Sequence, residues 1–207
     1  MKLSHTKKKP LDKTLDFYSN GAQQYIEQTK HLEMTPLNNF MLKHFKDLNQ
    51  DSTILDLGFG SGREMDFLET KSLKTVGIDM TPEFVTSMEE QGKEVYLSKL
   101  PQIKIPQKEV DAAYSIAVIF HLTQKERLKL FLNLNKLIKQ NGKLILSYNT
   151  EDRRTDKNRF FDKLSKEELK KDLEKYGFEL VEQETMDDKL NRGWQWVTDC
   201  YQLTNKK

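Results

Sequence analysis

Apolar positions along the chain change their spacing three times, and each change marks a different kind of element. From Lys13 to Thr29, Leu15, Tyr18, Ala22 and Tyr25 recur at the spacing of one helical face, weakened in the middle by Gly21. After Pro36, the residues Leu37, Phe40, Met41, Phe45 and Leu48 form a second apolar stripe, and Asn49-Gln50-Asp51-Ser52 ends it in a turn. From Thr53 onward, short apolar runs alternate with helical patterns. Strands are predicted near Thr53–Leu57, Thr75–Asp79, Glu94–Ser98, Val110–Ile116 and Lys143–Asn149, with helices over Arg63–Thr70, Pro82–Gln91 and Gln124–Lys139. In the last helix Leu128, Phe131, Leu132, Leu134, Leu137 and Ile138 are expected inward, with Asn141-Gly142 beyond its end. This alternation predicts right-handed crossovers and a doubly wound α/β fold, a mostly parallel sheet with helices on both faces.

Near the C-terminus the rhythm breaks. Ser165-Lys-Glu-Glu168 has the form of a capping box and opens a helix to Tyr176, with Gly177 as its stop. Phe178–Met186 and Trp194–Leu203 then read as strands joined by a polar turn from Asp187 to Gly193. No helix fits between them, so they pair antiparallel. The segment from Met1 to about Asp12 is Lys-rich and polar and is expected to be a tail. Together these patterns suggest one domain over 1–207: a basic tail (1–12), covering helices (13–48) and an α/β core (49–207).

Composition narrows the function classes. With 207 residues, 36% hydrophobic and 32% charged, the chain suits one domain with a modest core and a well-solvated surface. Lys+Arg 34 against Asp+Glu 32 leaves a net charge of +2, too even to argue for nucleic acid. The lone Cys200 forms no internal disulfide and fits a reducing, cytoplasmic setting. No apolar run approaches the roughly 20 residues of a membrane span. The basic start MKLSHTKKKP has no apolar stretch behind it, so neither a secretory signal nor a membrane partner is expected. The four histidines and one cysteine lack ligand-pair spacing, so no metal is expected, and no Gly-x-Ser-x-Gly elbow is present.

The most informative segment is ILDLGFGSGR, Ile54 to Arg63. A buried-type strand runs into Gly58, Gly60 and Gly62, and a helix begins there. Such glycines permit a tight turn and close backbone approach to a ligand, and the first helical amides attract an anionic group. The dinucleotide pattern G-x-G-x-x-G/A would need a small residue where Arg63 stands. Asp79 ends the next strand, where a carboxylate accepts hydrogen bonds from a ribose diol. Loop and acid together describe a site for a nucleoside with an anionic tail.

At these residues the chain resembles the class I S-adenosylmethionine-dependent methyltransferases, of the small-molecule type. ILDLGFGSGR matches the first motif and VGIDMTPEFV the second; VDAAYSIAVIFHL matches the fourth-strand region and LIKQNGKLILSYN the approach to the fifth. FYSNGAQQYIEQT resembles the helix that covers the cofactor in many members. The resemblance implies a Rossmann-like seven-stranded sheet ending in an antiparallel hairpin, with S-adenosylmethionine as cofactor. It also implies roles. Gly58, Gly60 and Gly62, with Arg63 behind them, would lie beside the methionine portion, and Asp56 would hold the loop and face the amino group. Asp79 would bind the ribose, Met80 would lie against the adenine, and Ser115 and Ile116 would border the sulfonium. Tyr18 and Tyr25 would close the site. Three departures stand out: Phe59 replaces a small residue, Ser98 stands in for an acid after the third strand, and no Asn-Pro-Pro-Tyr-like motif follows the fourth. The last departure argues against DNA-base amine acceptors.

On the substrate side, His121 follows the fourth strand and is the candidate general base; its alternative is packing or capping of the next helix. The run from Asp187 to Trp196 offers Arg192, Trp194 and Trp196 to a planar or anionic acceptor, although both tryptophans also suit a core face. Glu151–Arg159 is expected to be a lid, with Arg153, Arg154 and Arg159 drawing in an anion or simply solvated. The expected function is methyl transfer to a small-molecule acceptor. The alternatives are a protein or RNA acceptor, or a non-catalytic cofactor-binding protein. A nicotinamide dehydrogenase is opposed by Arg63 and the terminal hairpin.

Overall fold

The computed structural model describes residues 10–153, 156–190 and 192–207. Most of the expected basic tail, and Arg154 of the expected lid, lie outside the described residues. Three helices come first: α1 (Pro10–Asn20), α2 (Ala22–Thr29) and α3 (Thr35–Phe45). The first two are split at Gly21, where the periodicity weakens. Pro10–Asp12, expected in the tail, form the first turn of α1. Leu11 provides the reason, since it is buried in the main core, and proline suits a first helical turn.

Next come β1 (Thr53–Leu57), α4 (Arg63–Glu69), β2 (Lys74–Asp79), α5 (Pro82–Glu89), β3 (Val95–Leu97), β4 (Val110–Ile116), a short 3₁₀ turn (Ile119–His121), α6 (Gln124–Leu137) and β5 (Ile138–Tyr148). The chain closes with α7 (Lys166–Glu174), β6 (Phe178–Asp187) and β7 (Gln195–Leu203). The seven strands form one sheet in the order β3-β2-β1-β4-β5-β7-β6. The first five pair in parallel, while β7 runs antiparallel to both β5 and β6, as the missing crossover helix requires.

Period-two alternation splits the sheet's side chains between two cores. Leu55, Leu57, Ala113, Leu144, Leu146 and Tyr148 face α6 and α7, whereas Ile54, Ala112, Tyr114 and Ile145 face α3 and α4. The inward face of α6 differs from expectation. Leu130, Phe131 and Leu134 are fully buried, but Leu128 and Leu132 only partly so. Arg127 takes a buried position because it donates to the Leu122 carbonyl and pairs with Asp162 at 2.9 Å. The helix also stops at Leu137 rather than Lys139, because Ile138 already pairs with Val110. The next paired residue is Lys143, opposite Ala112, so residues 139–142 bulge out. A complete capping box starts α6, with Thr123 and Glu126 bonding each other's backbone N–H. At α7, Ser165 caps the Glu168 N–H, but its hydroxyl turns to Glu167.

Candidate active site

Strand order reverses between β1 and β4, which places a crevice at their carboxyl ends, the usual ligand position in such sheets. The loop after β1 and the turn after β4 form its two walls. Gly58, Gly60 and Gly62 adopt φ of 86°, 54° and 72°. Gly60 is also crowded, since a Cβ there would sit 3.1 Å from the Tyr25 ring. This conformation aims the Gly60 N–H at Asp79 Oδ2, 3.1 Å away, while the Thr81 N–H donates to Oδ1 at 2.8 Å. Burial raises the Asp79 carboxyl above the usual range, and these two N–H groups oppose that by favouring the charged form. The Thr81 hydroxyl and the Met80 N–H add to this, and Asp79 and its neighbours line the crevice.

Around Asp79 the crevice encloses about 610 Å³ of space, part of it open to solvent. Met80, Phe84 and Leu100 make one side apolar, and Ile116, Ala117 and Val118 make the other. Ser98 sits at the rim. Its hydroxyl donates to the Gln102 carbonyl at 3.0 Å and accepts from the Lys104 N–H at 3.2 Å. Ser115 does not line the crevice. It is fully buried, its hydroxyl donating to the Leu57 carbonyl at 3.2 Å, so it ties β4 to β1. The wall beyond it is formed by Ile116 and by Ala117, whose φ of 63° turns the backbone.

Helices α1 and α2 cover the crevice through an aromatic cluster. Tyr18 meets Tyr25 edge-on at 5.4 Å, and Tyr25 meets Phe84 at 5.3 Å. Lys30, capping α2, bonds the Ser61 carbonyl at 3.1 Å and pairs with Asp66 at 2.6 Å. Arg63 holds the other side, donating to the Thr29 carbonyl at 3.3 Å and to Glu64. Its guanidinium thus fastens the covering helix to the glycine loop instead of pointing at the space beside Asp79. Asp56 opens on a smaller recess under the loop with Ser61 and Glu64. Burial, and then the Glu64 carboxylate, push its carboxyl well above the usual range.

His121 stands between this crevice and a second pocket. Its Nδ1 lies 2.6 Å from the Phe160 carbonyl, and its Nε2 lies 3.3 Å from the Tyr18 hydroxyl. A carbonyl only accepts, so Nδ1 carries the proton and Nε2 keeps its lone pair. Burial, helped by Arg159 and Arg153, lowers the imidazole to about 4, so it is neutral near pH 7. The second pocket lies beyond Tyr18 and is walled by Phe120, Trp196, Arg153, Arg159 and Asp188. Asp188 organises the hairpin turn: Arg192 Nε and Trp196 Nε1 both donate to it at 2.9 Å. Hydrogen bonds from Arg192 hold the Asp188 carboxyl far below its ordinary range. Arg192 and Trp196 line the pocket, and Trp196 also packs against the main core. Trp194 precedes β7 and stacks against Arg192 and Arg153, 4.1 and 4.3 Å from its ring centre.

Phe84, Ala117, Phe160 and Asp188 were not singled out by sequence. Only Asp188 carried a local signal, its place in an acid-rich turn before arginine and tryptophan. Among the described residues, no group of three His, Cys, Asp or Glu side chains is placed to hold a metal.

Residues 55–146 match a family model described as a methyltransferase domain. The segment running from β1 into β5 is thus methyltransferase-like. No curated protein sequence matches the chain. Solved structures resemble its fold over nearly the full length. The Burkholderia thailandensis 1,6-didemethyltoxoflavin-N1-methyltransferase, with bound 1,6-didemethyltoxoflavin and S-adenosylhomocysteine, superposes with a TM-score of 0.75 at 14% identity, covering 98% of this chain and 94% of that one. The Synechocystis PCC 6803 magnesium protoporphyrin IX methyltransferase, with bound S-adenosylmethionine, gives 0.75 at 14% identity, covering 96% and 99%. The [4+2]-cyclase SpnF gives 0.63 at 12% identity, covering 81% and 80%. Similarity at these identities speaks for the chain's fold, and its reaction must be argued from the site.

Proposed function

We propose that this chain transfers a methyl group from S-adenosylmethionine to a small-molecule acceptor. The supporting observation is the joining of two spaces at His121: a crevice built on Asp79 and the glycine loop, and an aromatic, arginine-lined pocket beside it. The crevice suits the cofactor chemically. A buried carboxylate lining the crevice fits a ribose diol, and the flanking Met80, Phe84 and Leu100 fit an adenine ring. Asp56, under the loop, fits an ammonium group. When bound, S-adenosylmethionine supplies an activated methyl group on a sulfonium, so the protein needs no nucleophile of its own.

On this reading the chain's residues orient and desolvate. Asp79 would hold the ribose hydroxyls, with Gly58 and Gly60 bringing backbone close to the methionine end. Ser98 would stand near the adenine edge, and Ile116 and Ala117 would border the transferred carbon. Tyr18 and Tyr25 would exclude water from above. His121 Nε2 would accept the proton of an acceptor O–H or N–H as the new bond to carbon forms and the carbon–sulfur bond breaks, its electron pair going to sulfur. Arg192, Trp194 and Trp196 would shape the acceptor end.

A protein or RNA acceptor is the second reading, and a non-catalytic binding protein the third. Incubating the protein with methyl-labelled S-adenosylmethionine and a cell extract split by size separates all three. Label in the small-molecule fraction supports the proposal, label in the macromolecular fraction supports the second reading, and a folded, cofactor-binding protein that labels neither supports the third.

A further inference from the structure

Among the described ion pairs, two arginines in the acceptor pocket are under-matched in charge. Arg153 and Arg159 converge on the same carboxylate, Asp156, at 3.9 and 3.1 Å. Arg192 and Arg63, at the same pocket, are each held by a carboxylate of their own, Asp188 and Glu64. Neither member of the pair is well solvated, with side-chain exposures of 14% and 23%. Arg153 lies over Phe161, 3.8 Å from its ring centre, and is closed from another side by Trp194. Burial first, and then the Arg159 cation, lower the Arg153 guanidinium to about 10, the response of a group pressed by a like charge. The Nε of Arg159 is buried and has no hydrogen-bond partner among the described residues. Both arginines line the pocket that His121 and Tyr18 share with the cofactor crevice.

Among the described ion pairs these two cations share the one carboxylate of Asp156, and a pair of guanidinium groups so placed suits a monoanion better than a phosphate dianion. The neighbouring Phe120 and Trp196 present aromatic surface. Building on the methyl-transfer reading, we propose that the acceptor is an aromatic or heteroaromatic carboxylate whose carboxylate group binds Arg153 and Arg159. Its ring then lies along Phe120 and Trp196, with the nucleophilic atom turned toward His121. The arginines act as a specificity element, since a neutral acceptor offers them no charge to pair with.

The test titrates protein loaded with S-adenosylhomocysteine with benzoate, with its neutral counterpart benzamide, and with inorganic phosphate, by calorimetry. Benzoate is expected to bind saturably, with benzamide and phosphate each weaker by about tenfold or more. Arg159→Gln and Arg153→Gln should each weaken benzoate by about tenfold while leaving S-adenosylhomocysteine affinity in place; Arg159→Lys should recover part of the loss. Thermal unfolding checks that each variant is folded, and an unfolded Gln variant is replaced by its Lys counterpart in the comparison. The proposal is overturned if benzoate does not bind the loaded protein, if benzamide or phosphate binds as well, or if the folded variants bind benzoate like wild type. Failure of S-adenosylhomocysteine itself to bind would instead remove the methyl-transfer reading beneath it.

Discussion

His121→Asn tests whether the histidine between the two pockets is a buried neutral base. Asparagine keeps an N–H for the Phe160 carbonyl but cannot take up a proton near neutral pH. In wild type the imidazole falls from 6.5 to about 4 on folding, chiefly because burial disfavours its charged form. The unfolded chain therefore binds more protons than the folded one between those values. Stability from this group is complete above the unfolded value and is lost as pH falls toward the folded one. The gap corresponds to about 3 kcal/mol, accumulating at up to about 1.4 kcal/mol per pH unit. Other acid-sensitive groups, His44 among them, remain in both proteins and cancel in the difference. Urea unfolding of both proteins from about pH 7.5 to about pH 4.5 should show wild type losing some 2–3 kcal/mol more than the variant. Parallel stability curves would mean that the ring titrates normally, and the assignment of Nε2 as a neutral acceptor would fall with them.

Other expectations are simpler. Cys200 is buried and its thiol is pushed up to about 12 by that burial, so a thiol reagent should modify native protein only as fast as it opens. Asp56 is driven upward by burial and Glu64, so affinity for S-adenosylhomocysteine, which carries an ammonium group, should fall on acidification through the Asp56 range and level off above it. A pH-independent affinity would exclude contact between Asp56 and that group. Asp199 accepts from Tyr148, Tyr201 and Gln183 at 2.8, 3.1 and 2.7 Å, so Asp199→Ala strands the two buried tyrosine hydroxyls, while the exposed Gln183 turns to water. Denaturant unfolding should report a loss of about 2 kcal/mol or more, and a loss under about 1 kcal/mol would contradict this reading.

What was legible in the sequence was local. β1 and β4 begin and end where their apolar runs do, because both strands are buried on two faces and bounded by turn residues. Asp79 and the glycine loop were readable for the same reason: the bond from Gly60 to Asp79 joins neighbouring strand ends in a common arrangement. The phase of α6 was not legible. Leucines at 128, 130, 132 and 134 fit more than one helical face, and the arginine that settles the phase is buried only because Asp162 meets it. The start of β5 was hidden by a bulge that no periodicity marks. The site's remaining features depend on residues far apart in sequence. His121 owes its tautomer to Phe160, whose own N–H is held by Thr14 at 2.9 Å. Ser115 looked like a cofactor contact from its position, and only the packing of β4 on β1 shows its hydroxyl facing inward. Arg63 likewise reads as a loop cation until the covering helix supplies the Thr29 carbonyl.

The central claim is that the crevice at Asp79 accepts an adenosyl group. Calorimetric titration of S-adenosylhomocysteine into wild type and Asp79→Ala, with unfolding curves showing both folded, tests it most directly. One saturable site per chain is expected, weakened in the variant by about thirtyfold or more, the loss of a buried carboxylate's hydrogen bonds to two hydroxyls. Folded wild type that takes up no ligand, or a variant that binds as tightly as wild type, would contradict the account.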